Sequence, residues 1–256
     1  MLLAIDTGNT HTVIGVFEAE KLQHQWRVQT DRDKTADELA SLFFDLFSLE
    51  KITFDDIQSV IIACVVPPIL PAFISFCTKY IHITPLMVND TMNTGITILT
   101  DRPEEVGADR IVNAVAGFEQ YKSPLIIVDF GTAITFDCVS AHGEYLGGAI
   151  APGLAISLDA LGLRTAKLPR VDISTPPDKP IGTNTVSAIK SGILYGYAGL
   201  VDGLVARLRE EFKPTTPKVI ATGGMAELIA PYAESIEYVN PMLTLEGLRL
   251  LHEKNK

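Results

Sequence analysis

Two segments of this 256-residue sequence carry the same pattern, an apolar strand that ends in Asp, one further residue and Gly. The first copy is Leu2-Leu3-Ala4-Ile5-Asp6-Thr7-Gly8-Asn9-Thr10, and the second is Ile126-Ile127-Val128-Asp129-Phe130-Gly131-Thr132-Ala133. Each copy continues into a second apolar segment, 12–17 or 134–139, and then into a polar connection. This order of strand and turn residues predicts a β-hairpin with an Asp-x-Gly turn. We therefore expect a fold built by duplication.

A later apolar run in each half supports the duplication. Residues 60–64 and 219–224 are short apolar runs that end at small residues or a proline break, as buried parallel strands do. In the first half, Thr35-Ala36-Asp37-Glu38 is a capping-box sequence, and apolar residues at helical spacing follow it. Helical spacing also predicts helices at 104–118, 186–211 and 225–233.

These elements predict an α/β protein with a duplicated ribonuclease-H-like (actin-type ATPase) fold, in which two lobes have mixed sheets flanked by helices. A hairpin joined by a later parallel strand is typical of such a lobe, and a plain doubly wound sheet is the alternative. We assign an N-terminal lobe with a phosphate loop to 1–116. We assign a C-terminal lobe to 117–256, with a second phosphate loop and with Gly223-Gly224 on the adenosine side.

Composition and charge argue against several classes of partner. The sequence has 31 Asp and Glu against 21 Lys and Arg, and the net charge of -10 opposes general adhesion to nucleic acid or to an anionic membrane surface. The N-terminal apolar run lacks the basic flank and the cleavage site of a secretory signal. We therefore expect a cytoplasmic protein with no nucleic acid partner and no membrane partner.

The Asp-x-Gly turns suit a polyphosphate that is bound together with a metal ion. Gly8 allows close backbone approach, and its neighbours Asn9 and Thr10 offer amide and hydroxyl donors. Magnesium prefers oxygen ligands and keeps several waters, so Asp6 and Asp129 at the two strand ends are the natural carboxylates, with Asp6 facing Mg²⁺ or a similar divalent ion directly or through water.

An ordinary turn is the other explanation of this pattern, and for a single copy of Asp-x-Gly-Asn it is the better one. Two copies in register favour the functional interpretation. The sequence contains neither GxxxxGK[ST] nor GxGxxG, so a phosphate loop of the lysine-bearing kind and the dinucleotide fingerprint are absent.

Gly107-Ala108-Asp109-Arg110 places an acid beside a guanidinium at the predicted start of a helix. On local grounds, Asp109 is explained equally well by the helix dipole, and Arg110 by a structural ion pair. The functional alternative is that Asp109 accepts a hydroxyl proton while Arg110 holds an anionic group of the substrate.

Taken together, these segments closely resemble the type III pantothenate kinase family over almost the whole chain. Further family-like stretches are Gly147-Gly148-Ala149-Ile150-Ala151-Pro152-Gly153, Ala166-Lys167-Leu168-Pro169, Asn184-Thr185-Val186 and Leu243-Thr244-Leu245-Glu246-Gly247-Leu248. The resemblance implies ATP-dependent phosphorylation of pantothenate to 4′-phosphopantothenate, the first step of coenzyme A synthesis, by a homodimer.

The resemblance also implies roles for individual residues. The implied ATP-binding residues are Asp6, Thr7, Gly8, Asn9, Thr10, His11, Thr12, Val13 and Thr132. The implied pantothenate contacts are Gly107, Ala108, Asp109, Arg110 and Thr185, with Asp109 as the general base. Asp129 is implied as the ligand of a monovalent cation, K⁺ or NH₄⁺. Thr100 and Thr183 stand where the family has a tyrosine and a lysine, so we expect some substrate contacts to differ.

Three other functions are compatible with the same residues. They are a kinase of another small hydroxylated metabolite, such as an N-acetylated sugar, an actin-like or chaperone-type ATPase, and a catalytically silent regulatory relative. The short chain disfavours a chaperone, because a peptide-binding domain would need more residues. The presence of Asp6, Asp109 and Asp129 favours an active enzyme over a silent one.

Overall fold

The computed structural model describes residues 1–89, 91–177 and 179–256, and the chain divides into two compact units. Unit 1 comprises Met1–Gly95, Asp101–Ala116 and Leu243–Lys256. Unit 2 comprises Ile96–Thr100 and Gly117–Met242.

The regular elements follow one another in mixed α/β order. The strands are β1 (Leu2–Thr7), β2 (His11–Glu18), β3 (Lys21–Gln29), β4 (Ser59–Cys64), β5 (Leu86–Met87), β6 (Thr97–Ile98), β7 (Leu125–Phe130), β8 (Ala133–Val139), β9 (Glu144–Pro152), β10 (Lys218–Thr222) and β11 (Tyr238–Val239). The helices are α1 (Ala36–Leu49), α2 (Leu70–Phe76), α3 (Ala108–Tyr121), α4 (Leu154–Arg164), α5 (Thr185–Glu211), α6 (Ala226–Ile229) and α7 (Leu243–Lys254).

The two units contain mixed sheets with the same central arrangement. The sheet of unit 1 has the order β3-β2-β1-β4-β5, and the sheet of unit 2 has the order β11-β10-β7-β8-β9-β6. In unit 1, β1 is antiparallel to β2 and parallel to β4. In unit 2, β7 is antiparallel to β8 and parallel to β10. The predicted mixed sheets, each with a hairpin and a later parallel strand, are therefore confirmed.

The duplication extends to the irregularities of the hairpins. The β2–β3 pairing shifts register between Val16 and Phe17, and the β8–β9 pairing shifts between Cys138 and Val139. Phe17 lies opposite Leu2, and Val139 lies opposite its counterpart in β7. A β-bulge strengthens the local twist, so both hairpins bend at the same place.

Apolar packing on both faces explains the central strands. β1 and β7 are continuous apolar runs because helices and loops cover both sides of each sheet. The predicted capping box before α1 is confirmed, since the Glu38 N–H donates to Thr35 Oγ1 over 3.3 Å and the Thr35 N–H donates to Glu38 Oε2 over 2.8 Å. The helix then packs Phe43 and Phe47 into the core of unit 1.

Two of the predicted helices have different bounds in the structure. The helix predicted at 104–118 begins at Ala108, because a 3₁₀ turn at Pro103–Glu105 precedes it. The helix predicted at 225–233 stops at Ile229 and continues as a 3₁₀ turn at Ala230–Tyr232. Proline at position 231 explains that end, since it lacks the N–H that an α-helix would use.

The C-terminal helix α7 belongs to unit 1, whereas the division predicted from the sequence placed 243–256 in the second lobe. Residues 96–100, which that division placed in the first lobe, belong to unit 2. Leu245 lies against Gly15 of β2, and Gly247 lies against the backbone of Val112. A Cβ at position 247 would be 2.3 Å from the Val112 carbonyl oxygen, so only glycine permits this contact. Helical periodicity shows that α7 has an apolar face, but it does not show which sheet that face covers.

Among the described residues, no helix combines the length and the apolar character that crossing a membrane would require.

Candidate active site

The first Asp-x-Gly turn connects β1 to β2 and is closed by backbone hydrogen bonds. The Gly8 N–H donates to the His11 carbonyl oxygen over 3.0 Å. Thr30, just after β3, donates its N–H to the Thr10 carbonyl oxygen over 2.9 Å and its hydroxyl to the Gly8 carbonyl oxygen over 2.7 Å. The end of β3 therefore holds both sides of the turn.

The second turn, between β7 and β8, is one residue shorter but closes in the same way. The Gly131 N–H donates to the Ala133 carbonyl oxygen over 3.0 Å, and the Gly153 N–H donates to the Thr132 carbonyl oxygen over 3.1 Å. A Cβ on Gly131 would be 3.3 Å from the Ala133 oxygen, and a Cβ on Gly8 would be 3.2 Å from the corresponding oxygen. Both turns therefore favour glycine at the same position.

The predicted ATP-binding residues of the first turn differ in accessibility. Asn9, Thr10 and His11 are exposed. The side chains of Thr7 and Thr12 are buried, and the Thr12 hydroxyl is 2.9 Å from the hydroxyl of Thr30. The side chains of these two threonines therefore lie in the interior of unit 1.

Two arginines that the sequence analysis did not single out lie beside the first turn. Arg32 Nη2 donates to Asn9 Oδ1 over 3.1 Å, and Arg27 Nη2 is 3.1 Å from His11 Nδ1. Burial of the imidazole, and then the charge of Arg27, lowers the pKa of His11. The turn therefore has positive charge nearby without a lysine of its own. The β2–β3 register, which places Arg27 opposite Val13, is the signal that could have identified it.

Asp109 lies in the first turn of α3 and is fixed by its neighbours. Its Oδ1 accepts the Arg110 N–H over 2.8 Å. The same oxygen would be only 2.6 Å from a Cβ on residue 107. The carboxylate therefore fits because residue 107 is a glycine and has no side chain. Burial raises the pKa of Asp109, although the Arg110 N–H and guanidinium oppose that rise. A carboxylate with a raised pKa is a better proton acceptor than an ordinary aspartate.

Unit 1 brings this helix start and the first turn to one edge of its sheet. Gly107 packs beside Val65, which follows β4, and the Val65 N–H donates to the Thr7 carbonyl oxygen over 3.0 Å. Cys64, at the end of β4, lies opposite Thr7 in the β1–β4 register. Burial raises the pKa of its thiol, the Val66 N–H opposes that rise, and the negative charge of Asp6 adds to it. The predicted phosphate loop and the predicted base therefore both lie at the carboxyl ends of β1 and β4.

Asp129 occupies the position in unit 2 that Asp6 occupies in unit 1. It lies opposite Thr135 in β8 and Thr222 in β10, as Asp6 lies opposite residues of β2 and β4. Gly223 has a φ of +87°, and a Cβ there would be 2.3 Å from Asp129 Oδ1. The sequence predicts Gly223 as an adenosine contact, and the structure gives it a local reason, which is to leave room for this carboxylate.

The remaining predicted residues lie in unit 2. Thr132 is half-buried in the second turn. Thr185 is the first residue of α5 and is exposed, and the Asn184 side chain caps that helix by accepting the Ser187 N–H over 2.9 Å. Thr183 is exposed, whereas the hydroxyl oxygen of Thr100 is buried and has no hydrogen-bond partner among the described residues.

A family profile and individual relatives of similar sequence indicate the same protein family. A sequence profile of the type III pantothenate kinase family matches residues 2–207. The type III pantothenate kinase of Syntrophus aciditrophicus (strain SB) is 54% identical over 255 residues, with 100% of each chain covered. That of Geobacter sp. (strain M21) is 54% identical over 256 residues, again with 100% of each chain covered.

A solved structure supports the fold. The inorganic polyphosphate/ATP-glucomannokinase from Arthrobacter sp. strain KM matches with a TM-score of 0.52 at 15% identity, covering 99% of this chain and 97% of that one. This likeness concerns the fold alone, and with the two duplicated mixed sheets it confirms the predicted actin-type ATPase architecture.

Proposed function

This chain belongs to the type III pantothenate kinases, which transfer a phosphoryl group from ATP to pantothenate in coenzyme A synthesis, and we propose that Asp109 is the general base of that transfer. The observation that carries the proposal is the position of Asp109. Its carboxylate has a raised pKa and lies at the edge of the unit 1 sheet where the first Asp-x-Gly turn also ends.

In this proposal, the acceptor hydroxyl of pantothenate donates its proton to Asp109 as its oxygen attacks the terminal phosphorus of ATP. The bond from that phosphorus to the bridging oxygen breaks, and ADP leaves. Phosphoryl transfer depends mainly on positioning and on stabilisation of spread negative charge. The Arg110 guanidinium, next to the base, is suited to hold the carboxylate of pantothenate.

The first turn is proposed to bind the phosphates of ATP. The exposed residues Asn9, Thr10 and His11 offer side-chain groups, and the glycine at position 8 lets the backbone approach closely. Arg32 adds positive charge and holds the Asn9 side chain. Thr132, in the second turn, is a further proposed ATP contact, and Thr185 a further proposed pantothenate contact.

The carboxylates at the strand ends fit the ions that the reaction needs. Asp6 is a half-buried carboxylate beside the first turn, and one such group is enough for Mg²⁺, which retains waters while bound to phosphates. Asp129 lies at the equivalent strand end of unit 2, where the missing side chain of Gly223 leaves room for its carboxylate. This carboxylate is the proposed ligand of a monovalent cation such as K⁺ or NH₄⁺. Bound ions would supply positive charge that neutralises the phosphates.

We further propose that the enzyme acts as a homodimer in the cytoplasm. Unit 2 exposes several large apolar side chains, and contact with a second copy of the chain would remove them from water. The most exposed of these are Ile181, Leu163, Ile150 and Leu99. Sedimentation at micromolar concentration tests the association, and a monomeric mass would contradict it.

The test of the proposed base is a coupled ADP-release assay with ATP, Mg²⁺, K⁺ and pantothenate. Asp109→Asn is expected to fold and to lose turnover by about 10²- to 10⁴-fold, the usual contribution of a general base. Asp101→Asn, which changes an exposed carboxylate before the same helix, is the matched control and should keep its rate. A wild-type rate for Asp109→Asn would refute the assignment, and turnover with another acceptor but not pantothenate would refute the substrate.

A further inference from the structure

Two threonine hydroxyls flank Asp129 on the sheet of unit 2. Asp129 is in register with Thr135 of the antiparallel strand β8 and with Thr222 of the parallel strand β10. Residues that are in register on neighbouring strands project to the same face, and neighbouring strands lie about 4.8 Å apart. The three side chains therefore form a row of oxygen-bearing groups across one face.

The Thr222 hydroxyl is the first part of the argument. Thr222 is 1% exposed, and its Oγ1 has no hydrogen-bond partner among the residues that the structure describes. A buried hydroxyl without a partner costs free energy, so such a group in a native protein needs an explanation. An ion held by the neighbouring carboxylate would explain it.

The Thr135 hydroxyl is oriented by a buried network. It donates to Asp137 Oδ2 over 2.9 Å, and the Tyr145 hydroxyl donates to Asp137 Oδ1 over 2.7 Å. Asp137 is fully buried, so its position is fixed by these bonds and by packing. Because the Thr135 proton is committed to Asp137, the lone pairs of the Thr135 oxygen remain available as acceptors.

The corresponding row in unit 1 has no such hydroxyls. Asp6 is in register with Val13 of β2 and with Ala63 of β4. The fold is duplicated and the two aspartates are equivalent, so the difference in their neighbours is specific to the second copy. Position 223 adds to this difference, because its glycine backbone lies against Asp129 Oδ1.

We propose that Thr135 and Thr222 complete the cation site at Asp129 and set its preference for a monovalent ion. The proposal rests on the monovalent-cation site proposed above. The proposed ligands are one carboxylate and two neutral hydroxyl oxygens, which together carry one negative charge. The Asp137 carboxylate behind Thr135 is not one of these ligands, because it accepts the hydroxyls of Thr135 and Tyr145. All the proposed ligands at Asp129 are oxygens, whereas Zn²⁺ and Cu⁺ sites favour nitrogen and sulfur donors.

The experiment measures cation binding without turnover. Thermal unfolding is followed without ATP as KCl or NaCl is raised, with ionic strength held constant by tetramethylammonium chloride to remove general screening. The wild-type protein should be stabilised by K⁺ at lower concentration than by Na⁺, and Asp129→Asn should lose that response. Thr222→Val, which keeps the side-chain shape, should raise the K⁺ midpoint about tenfold or more, and Thr222→Ser should restore it.

A matched control is Thr7→Val, since Thr7 is also fully buried with an unpartnered hydroxyl among the described residues but lies outside the Asp129 row. Its K⁺ midpoint should equal that of the wild type. An unchanged midpoint in Thr222→Val, with the response lost in Asp129→Asn, overturns the role of Thr222 and leaves the cation site intact. If Asp129→Asn keeps the K⁺ response, the cation site itself is overturned. The kinase assignment is judged separately, and it stands if the wild-type protein phosphorylates pantothenate.

Discussion

The carboxylate of Asp109 occupies the space in which a side chain on Gly107 would lie, because a Cβ at position 107 would be 2.6 Å from Asp109 Oδ1. Real Cβ atoms do not approach an oxygen so closely, and either the carboxylate or the backbone would have to move. The glycine therefore determines where the proposed base points.

We predict that Gly107→Ala lowers kcat by about 10²-fold, because a displacement of about 1 Å at a reacting group has that effect. Thermal unfolding should change little, since Asp109 can rotate away. The control is Gly162→Ala in α4, where a Cβ meets only Arg170 Cγ at an ordinary 3.5 Å. Equal rates for the two variants would show that Gly107 does not position the base.

Asp109 should also destabilise the folded protein at neutral pH. Burial raises its pKa above the unfolded value, so the folded state binds more protons between the two pKa values. The free energy of unfolding is therefore highest below the unfolded pKa of Asp109, and it falls as the pH rises from there through the folded pKa. Asp109→Asn should raise Tm at pH 7 and have a smaller effect at acid pH.

The measurement is Tm against pH for the wild type, Asp109→Asn and Asp101→Asn. The exposed control, Asp101→Asn, should have a free energy of unfolding within about 0.5 kcal/mol of the wild type at every pH, so its Tm should follow that of the wild type. A drop in Tm for Asp109→Asn at pH 7 would show that the carboxylate stabilises the fold and that burial is not its dominant environment.

Gly223→Ala should destabilise unit 2 and disturb Asp129. The residue has a φ of +87°, and its Cβ would lie 2.3 Å from Asp129 Oδ1 and 2.7 Å from the Phe130 nitrogen. We expect a loss of about 1–3 kcal/mol from backbone strain alone. Chemical denaturation provides the measurement.

The comparison variant for Gly223→Ala is Gly131→Ala on the other side of the same carboxylate. There the Cβ would be 3.8 Å from Asp129 Oδ1 and 3.3 Å from the Ala133 carbonyl oxygen, so a smaller loss is expected. If Gly131→Ala proved the more damaging of the two, the close contact at position 223 would not be the dominant constraint.

Arg32→Ala should weaken ATP binding. The guanidinium holds Asn9 in the first turn, and one hydrogen bond to a charged group contributes about 1.5 kcal/mol, which corresponds to roughly tenfold in affinity. We therefore expect the KM for ATP to rise about tenfold, with the KM for pantothenate nearly unchanged. Lys79→Ala, which removes an exposed cation paired with Asp37, controls for net charge. A similar rise in both variants would point to general electrostatics and not to the turn.

The sequence by itself determined the repeated parts of this protein. Alternation of strand and turn residues gave both hairpins, the capping box at Thr35 gave the start of α1, and the two Asp-x-Gly turns gave the carboxylates at the strand ends. These features are local: each depends on residues within about ten positions of one another, so their spacing is visible in the chain.

Contacts between distant segments were decided by the tertiary structure alone. The packing of α7 on the first sheet, the closeness of Gly223 to Asp129 and the hydrogen bond from Arg32 to Asn9 each join residues more than twenty positions apart. An apolar helix face or a glycine does not specify its partner, because burial is favourable against any complementary surface. Which surface is met depends on how the sheets order their strands, and that order places Thr135 and Thr222 on either side of Asp129.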